Sequence, residues 1–123
     1  LHTFMPLLPH YGGFSLAEYF EALLTDVCSW VEANPVVWQG VRITPEQIKG
    51  QLTEQSLIGI FRAIYEAKAR ADQATIWCCK SMQNIHFADQ LEAAIAPKYL
   101  YLYRDGRDVA ASFKKAYVGP KHV

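Results

Sequence analysis

No run of eighteen apolar residues occurs anywhere in the 123-residue chain, so no segment reads as a membrane-spanning helix. An excess of one charge is missing too: 12 basic and 12 acidic residues give a formal net charge of zero. General nucleic-acid binders and membrane-surface binders carry a basic excess, so neither class of partner is expected, and any anion binding must be local. Cysteine is scarce. Cys28, Cys78 and Cys79 are too few for the disulfide framework of a small secreted fold. Cys78 and Cys79 are adjacent on a predicted strand and face opposite ways, and reduced thiols in a cytoplasmic protein are the expectation. The three cysteines and four histidines show no zinc-ligand spacing, and no metal is expected. Internal repeats, low-complexity segments and a visible signal peptide are also lacking.

What is present is a chain 51% hydrophobic and 20% charged, enough to bury a core. Its length fits one domain or a piece of one. The first residue is Leu1, and the chain closes just after a predicted helix, which reads as an excerpt of something longer.

Residues 1–14, with prolines, Gly12-Gly13 and two histidines, read as an irregular lead-in. Ser15 and Glu18 form a predicted capping box. Apolar residues then recur at Leu16, Tyr19, Phe20, Leu23, Leu24, Val27, Trp30 and Val31, an amphipathic helix ending before Asn34-Pro35. Residues 35–43 form a connector. Thr44-Pro45-Glu46-Gln47 combines a cap, a proline at the first helical position and a glutamine that closes the box. After a break near Gly50–Thr53, a helix is predicted to about Ala71 with Leu57, Ile60, Phe61 and Ile64 inward. Arg62, Glu66 and Arg70 fall on its solvated face.

The second half changes character. Thr75–Cys79 and Tyr99–Tyr103 are apolar runs rich in strand formers, separated by a helical pattern over residues 84–95 that Pro97 stops. Strand, helix, strand predicts a βαβ unit with parallel pairing, and a further helix is predicted from Gly106 to about Tyr117. The chain thus divides into a helical region, residues 1–72, and a βαβα segment, residues 73–123. Two strands make a marginal sheet, a second sign of an excerpt.

Arg104 stands where the second predicted strand ends and a helix begins, the place where α/β proteins collect anionic ligands. Asp105 can cap that helix, and Asp108 adds to its acidic first turn. Ser112 lies six residues into the helix, roughly 9 Å along the axis, with its side chain leaning back toward the junction. Two readings stay open. Arg104 and Ser112 meet on one phosphate, or Arg104 pairs with Asp108 or another carboxylate while Ser112 bonds a helix carbonyl.

The segment Tyr101-Leu-Tyr-Arg-Asp-Gly-Arg-Asp-Val-Ala-Ala-Ser-Phe113 resembles the 3′-phosphate-binding motif of sulfotransferases. That motif is an apolar strand followed by arginine, Asp or Asn, any residue, a basic residue, Asp-Val, two further residues, serine and an aromatic. Trp77-Cys-Cys-Lys80-Ser81 resembles the family's second central strand, which ends in lysine and a hydroxyl residue. The resemblance covers residues 75–117. It implies an α/β fold: a three-layer, P-loop-kinase-like parallel sheet with flanking helices, incomplete here, beside the mainly helical N-terminal half. The implied activity is transfer of a sulfuryl group from 3′-phosphoadenosine 5′-phosphosulfate, as co-substrate, to a hydroxyl or amine of a small-molecule or glycan acceptor. By position, Arg104 and Ser112 hold the 3′-phosphate. Lys80 sits near the sulfuryl group, where its ammonium offsets developing charge, and Ser81 caps the following segment or contacts the donor.

Departures accompany the match. The family's phosphate-cradling loop has no counterpart in residues 1–20, where Gly12-Gly13 lacks a preceding strand and a basic partner. A C-terminal Arg-Lys-Gly-like loop is missing as well. The position of the cytosolic enzymes' catalytic histidine is held by Met82, leaving His86 as the nearest candidate base and His10 as a candidate for the acceptor site. The expectation is therefore a central fragment, inactive by itself, with bare sheet edges that drive self-association into a homo-oligomer. Two rivals are a P-loop kinase relative performing phosphoryl transfer and a non-catalytic helical interaction module.

Overall fold

The computed structural model describes residues 1–14, 16–36 and 38–115. Its framework is three helices: α1 (Ala17–Glu32), α2 (Pro45–Lys49) and α3 (Leu57–Ala71). On α1 the apolar spacing places Phe20, Leu23, Leu24, Val27 and Cys28 inward, all buried. Tyr19 and Trp30, on the same predicted stripe, lie at its edge and stay exposed. Ser15, the predicted cap, lies outside the described residues.

The cap and the proline of the second start signal form as read, while no return bond from the Gln47 side chain closes the box among the described residues. Thr44 Oγ1 accepts the Gln47 N–H at 3.3 Å, with Pro45 in the first turn of α2. The predicted break follows, and Ser56 opens α3 by accepting the Gly59 N–H at 2.8 Å. Leu57, Ile60, Phe61 and Ile64 are buried as the pattern requires. Arg62 and Glu66 pair at 2.7 Å on the opposite face, with Arg70 within 4.0 Å of Glu66.

Phe4, in the turn just before the 3-10 stretch Met5–Phe14, joins Ile43 and Ile48 in closing one core with α1 and α3. The connector is pinned from both sides: Ile43 N–H donates to Glu32 Oε1 at 2.7 Å and Lys68 Nζ to the Gln39 carbonyl at 2.9 Å. A smaller cluster joins Ile58 and Phe61 to Leu91 of α4 (Ala88–Ile95), which follows a 3-10 stretch, Met82–Phe87. The last described helix is α5 (Gly106–Lys115).

The parallel sheet is not there. Among the described residues no strand forms, which overturns the expectation of an α/β, P-loop-kinase-like parallel sheet. Thr75–Cys79 and Tyr99–Tyr103 have strand composition but no ladder partner, and strand propensity is realised only on a paired, half-buried surface. Residues 77–81 keep a strand's alternation: Trp77, Cys79 and Ser81 are half-buried while Cys78 and Lys80 are exposed. Trp77 and Cys79 pack beside Ile58 and Phe61 of α3 instead of joining a sheet. Leu100, Tyr101, Leu102 and Tyr103 are each at least 79% exposed. No described helix is long and apolar enough to cross a membrane.

Candidate functional site

The start of α5 forms as its sequence predicts. Asp105 Oδ1 accepts the Arg107 backbone N–H at 2.8 Å, a cap in the helix's first turn. The same carboxylate grips the Arg107 guanidinium, Nε at 3.1 Å and Nη2 at 2.8 Å. This hydrogen bonding holds the Asp105 carboxyl below its ordinary range. Asp105 is thereby committed to Arg107. Arg104, one residue earlier, is exposed and has no carboxylate partner among the described residues. Ser112 is exposed too, and α5 buries no side chain.

The remaining sequence candidates are dispersed. Lys80 and His86 are exposed, as is His10 in the lead-in. Among the described residues, no hydrogen bond or ion pair joins Arg104, Ser112, Lys80 and His86 to one another. Ser81 does not use its side chain as a cap; its Oγ lies 3.3 Å from His2 Nδ1. The end of the predicted last helix falls outside the described residues. Among the described residues, no three His, Cys, Asp or Glu side chains are grouped to hold a metal ion.

A polar cluster that the sequence reading passed over lies under Cys79. The Tyr65 hydroxyl and the Asn84 Nδ2 each donate to Cys79 Sγ at 3.3 Å. Burial, and next the bond to Cys79, push the Tyr65 phenol above its usual range. Tyr65 also anchors an aromatic group, with ring centroids 4.8 Å from Phe61, 4.8 Å from Trp77 and 5.4 Å from Trp38. Beside it a cavity of about 230 Å³ opens between residues 1–4, α1, α3 and residues 79–84. The available signal was Phe61 and Tyr65 at i,i+4 on α3, a pair that must share a face. Trp38, in an irregular connector, and Asn84 carried no periodic signal.

The thiols separate chemically. Burial, reinforced by Glu32 and Glu46, pushes Cys28 up to about 11 from 9.0. Its thiolate population at neutral pH is therefore about a hundredfold below that of an unperturbed thiol. Alkylation with iodoacetamide followed by peptide mass spectrometry is expected to modify exposed Cys78 first, with Cys28 protected until denaturant is added. Cys28 modified as fast as Cys78 in the native protein would contradict the packing of α1.

Comparison with protein-family models, curated proteins and solved structures finds no match to this chain.

Proposed function

We propose that this chain carries the segment of a sulfotransferase that grips the 3′-phosphate of 3′-phosphoadenosine 5′-phosphosulfate, with Arg104 and Ser112 as the phosphate ligands. The observation that supports it most is the division between two neighbouring arginines. Arg107 takes the Asp105 carboxylate, so Arg104, just before α5, is left without a carboxylate partner among the described residues, close to a helix start whose N–H groups favour an anion. A buried structural arginine would be paired, and Arg104 is neither buried nor paired among the described residues.

Bound there, the donor supplies an activated sulfuryl group for a hydroxyl or amine of a small-molecule or glycan acceptor. Arg104 and Ser112 fix the nucleotide end by charge-assisted hydrogen bonds. Lys80, exposed at the end of the 75–80 segment, contributes an ammonium of the sign that stabilises oxygens gaining negative charge.

Calorimetric titration with adenosine 3′,5′-bisphosphate tests the assignment. A hydrogen bond to a charged group contributes about 1.5–3 kcal/mol, so Arg104→Ala is expected to weaken binding about 10- to 100-fold, with Ser112→Ala smaller in effect. Arg62→Ala, on the solvated face of α3, is the control and leaves affinity unchanged. Equal affinities for wild type, Arg104→Ala and Ser112→Ala would overturn the site. Absence of any nucleotide binding would favour the helical interaction module, whose support is a core built almost entirely from residues 4–67.

A further inference from the structure

Between α4 and α5 lies a stretch whose backbone has no partner. Residues 98–104 run without helix, turn or bend. Among the described residues no backbone–backbone hydrogen bond involves them. Their side chains are as bare: Leu100, Tyr101, Leu102 and Tyr103 are 86, 79, 87 and 85% exposed. Tyr101 and Tyr103 meet edge to face with ring centroids 4.9 Å apart, so residues two apart share a side, as they do in a strand. From Tyr99 to Tyr103 tyrosine alternates with leucine, without charge, glycine or proline. An unpaired backbone of that composition is a template for a second strand.

Symmetry and charge decide what that second strand is. In a two-fold antiparallel pair, residues opposite each other point to the same side, so the tyrosines of two copies share one face and their leucines the other. The alternating stretch thus complements itself. A parallel copy in register would set Lys98, Arg104 and Asp105 each against its like. An antiparallel copy centred on Tyr101 sets Lys98 against Arg104 at both ends. Centred on Leu100, it opposes Tyr103 to Pro97, which has no N–H, and Arg104 to Ala96, whose left-handed φ of 42° ends the extended run. Centred on Leu102, residues 99–105 pair without a break and no like charges face each other. Tyr101 then meets Tyr103 of the other copy twice over, and Leu102 meets its own counterpart.

We propose that residues 99–105 are a self-recognition surface through which two copies of the chain pair as an antiparallel ribbon centred on Leu102. The pairing is between molecules and antiparallel, distinct from the parallel sheet that the chain does not form. Because α5 buries no side chain, the end of the stretch is not held against the body. A short two-stranded ribbon is marginal by itself, so the dimer is weak, with a Kd of about 0.1 mM. Spectroscopy at micromolar concentration therefore sees the monomer. The inference does not rest on nucleotide binding and stands or falls apart from it.

Sedimentation equilibrium of the wild-type chain, from about tenfold below that Kd to about tenfold above it, is expected to show monomer passing to dimer. Leu102→Lys sets two ammonium groups against each other at the centre of the ribbon and is expected to leave monomer throughout. Leu102 is exposed in the single chain, so that variant folds as the wild type does. The register is read by cysteine cross-linking in a Cys78→Ser background, which removes the exposed native thiol. Leu102→Cys is expected to oxidise to a disulfide dimer faster than Tyr101→Cys, because in this register residue 102 opposes itself and residue 101 does not. Monomer at every concentration would leave the stretch to a different partner and overturn the proposal. So would association unaffected by Leu102→Lys, assemblies growing past the dimer, or faster cross-linking at residue 101.

Discussion

Phe20→Ala is expected to lower the urea midpoint of the chain by about 3 M, while Leu102→Ala leaves it where it was. Phe20 is 2% exposed on the inward face of α1, with its ring edge-to-face on Phe14 at 5.5 Å. Truncating such a side chain removes its transfer free energy and opens a cavity that neighbours fill only in part, about 3–5 kcal/mol. With a urea slope of about 1.5 kcal/mol per molar, a loss of about 4 kcal/mol gives the stated shift. Leu102 has the same apolar character and is 87% exposed. Surface truncations of that kind stay within about 0.5 kcal/mol. The pair also discriminates between architectures. In a parallel sheet Leu102 would be a core residue, and its truncation would rival that of Phe20. Circular dichroism during urea titration of the two variants gives the answer, and comparable losses would restore the sheet.

The second large effect runs against helix propensity. Alanine for glycine inside a helix ordinarily stabilises by about 0.5–1 kcal/mol. At Gly59, two residues into the body of α3, it is expected to destabilise by about 3 kcal/mol. A Cβ there would stand 2.6 Å from the backbone carbonyl oxygen of Glu54 and 3.3 Å from Ser56 Oγ. Backbone cannot yield as a side-chain tip can. Ser56 Oγ is the acceptor of Gly59's own N–H, so relieving the clash also breaks the cap of α3, itself worth about 1 kcal/mol. Gly50 supplies the contrast. Its backbone is right-handed helical, and a Cβ would meet nothing nearer than 3.7 Å. Gly50→Ala is expected to raise stability by about 0.4–1 kcal/mol by restricting the unfolded chain. Thermal melts showing both substitutions stabilising would refute the close approach of α3 to the Glu54 turn.

The contrast between what the sequence revealed and what it hid follows the range of the interactions concerned. The Thr44-Pro45-Glu46-Gln47 start, the inward row of α3 and the Asp105 cap are decided within four residues, and each was legible. Thr75–Cys79 and Tyr99–Tyr103 were read correctly as apolar runs and wrongly as strands. A strand needs a neighbour to complete its hydrogen bonds, and among the described residues none is offered. The pairing of Arg107 with Asp105 was hidden for a different reason. Two arginines flank one carboxylate, and only side-chain geometry decides which takes it. Asn84 and Trp38 come to one cavity from segments 46 positions apart in number, a juxtaposition with no trace in local pattern.

Because α5 buries none of its side chains, the chain's folding equilibrium scarcely registers what happens along that helix. Substitution of Ser112 on that helix, or of exposed Arg104 just before it, is therefore expected to leave the folded population unchanged. Sequence change along this helix meets little resistance from packing.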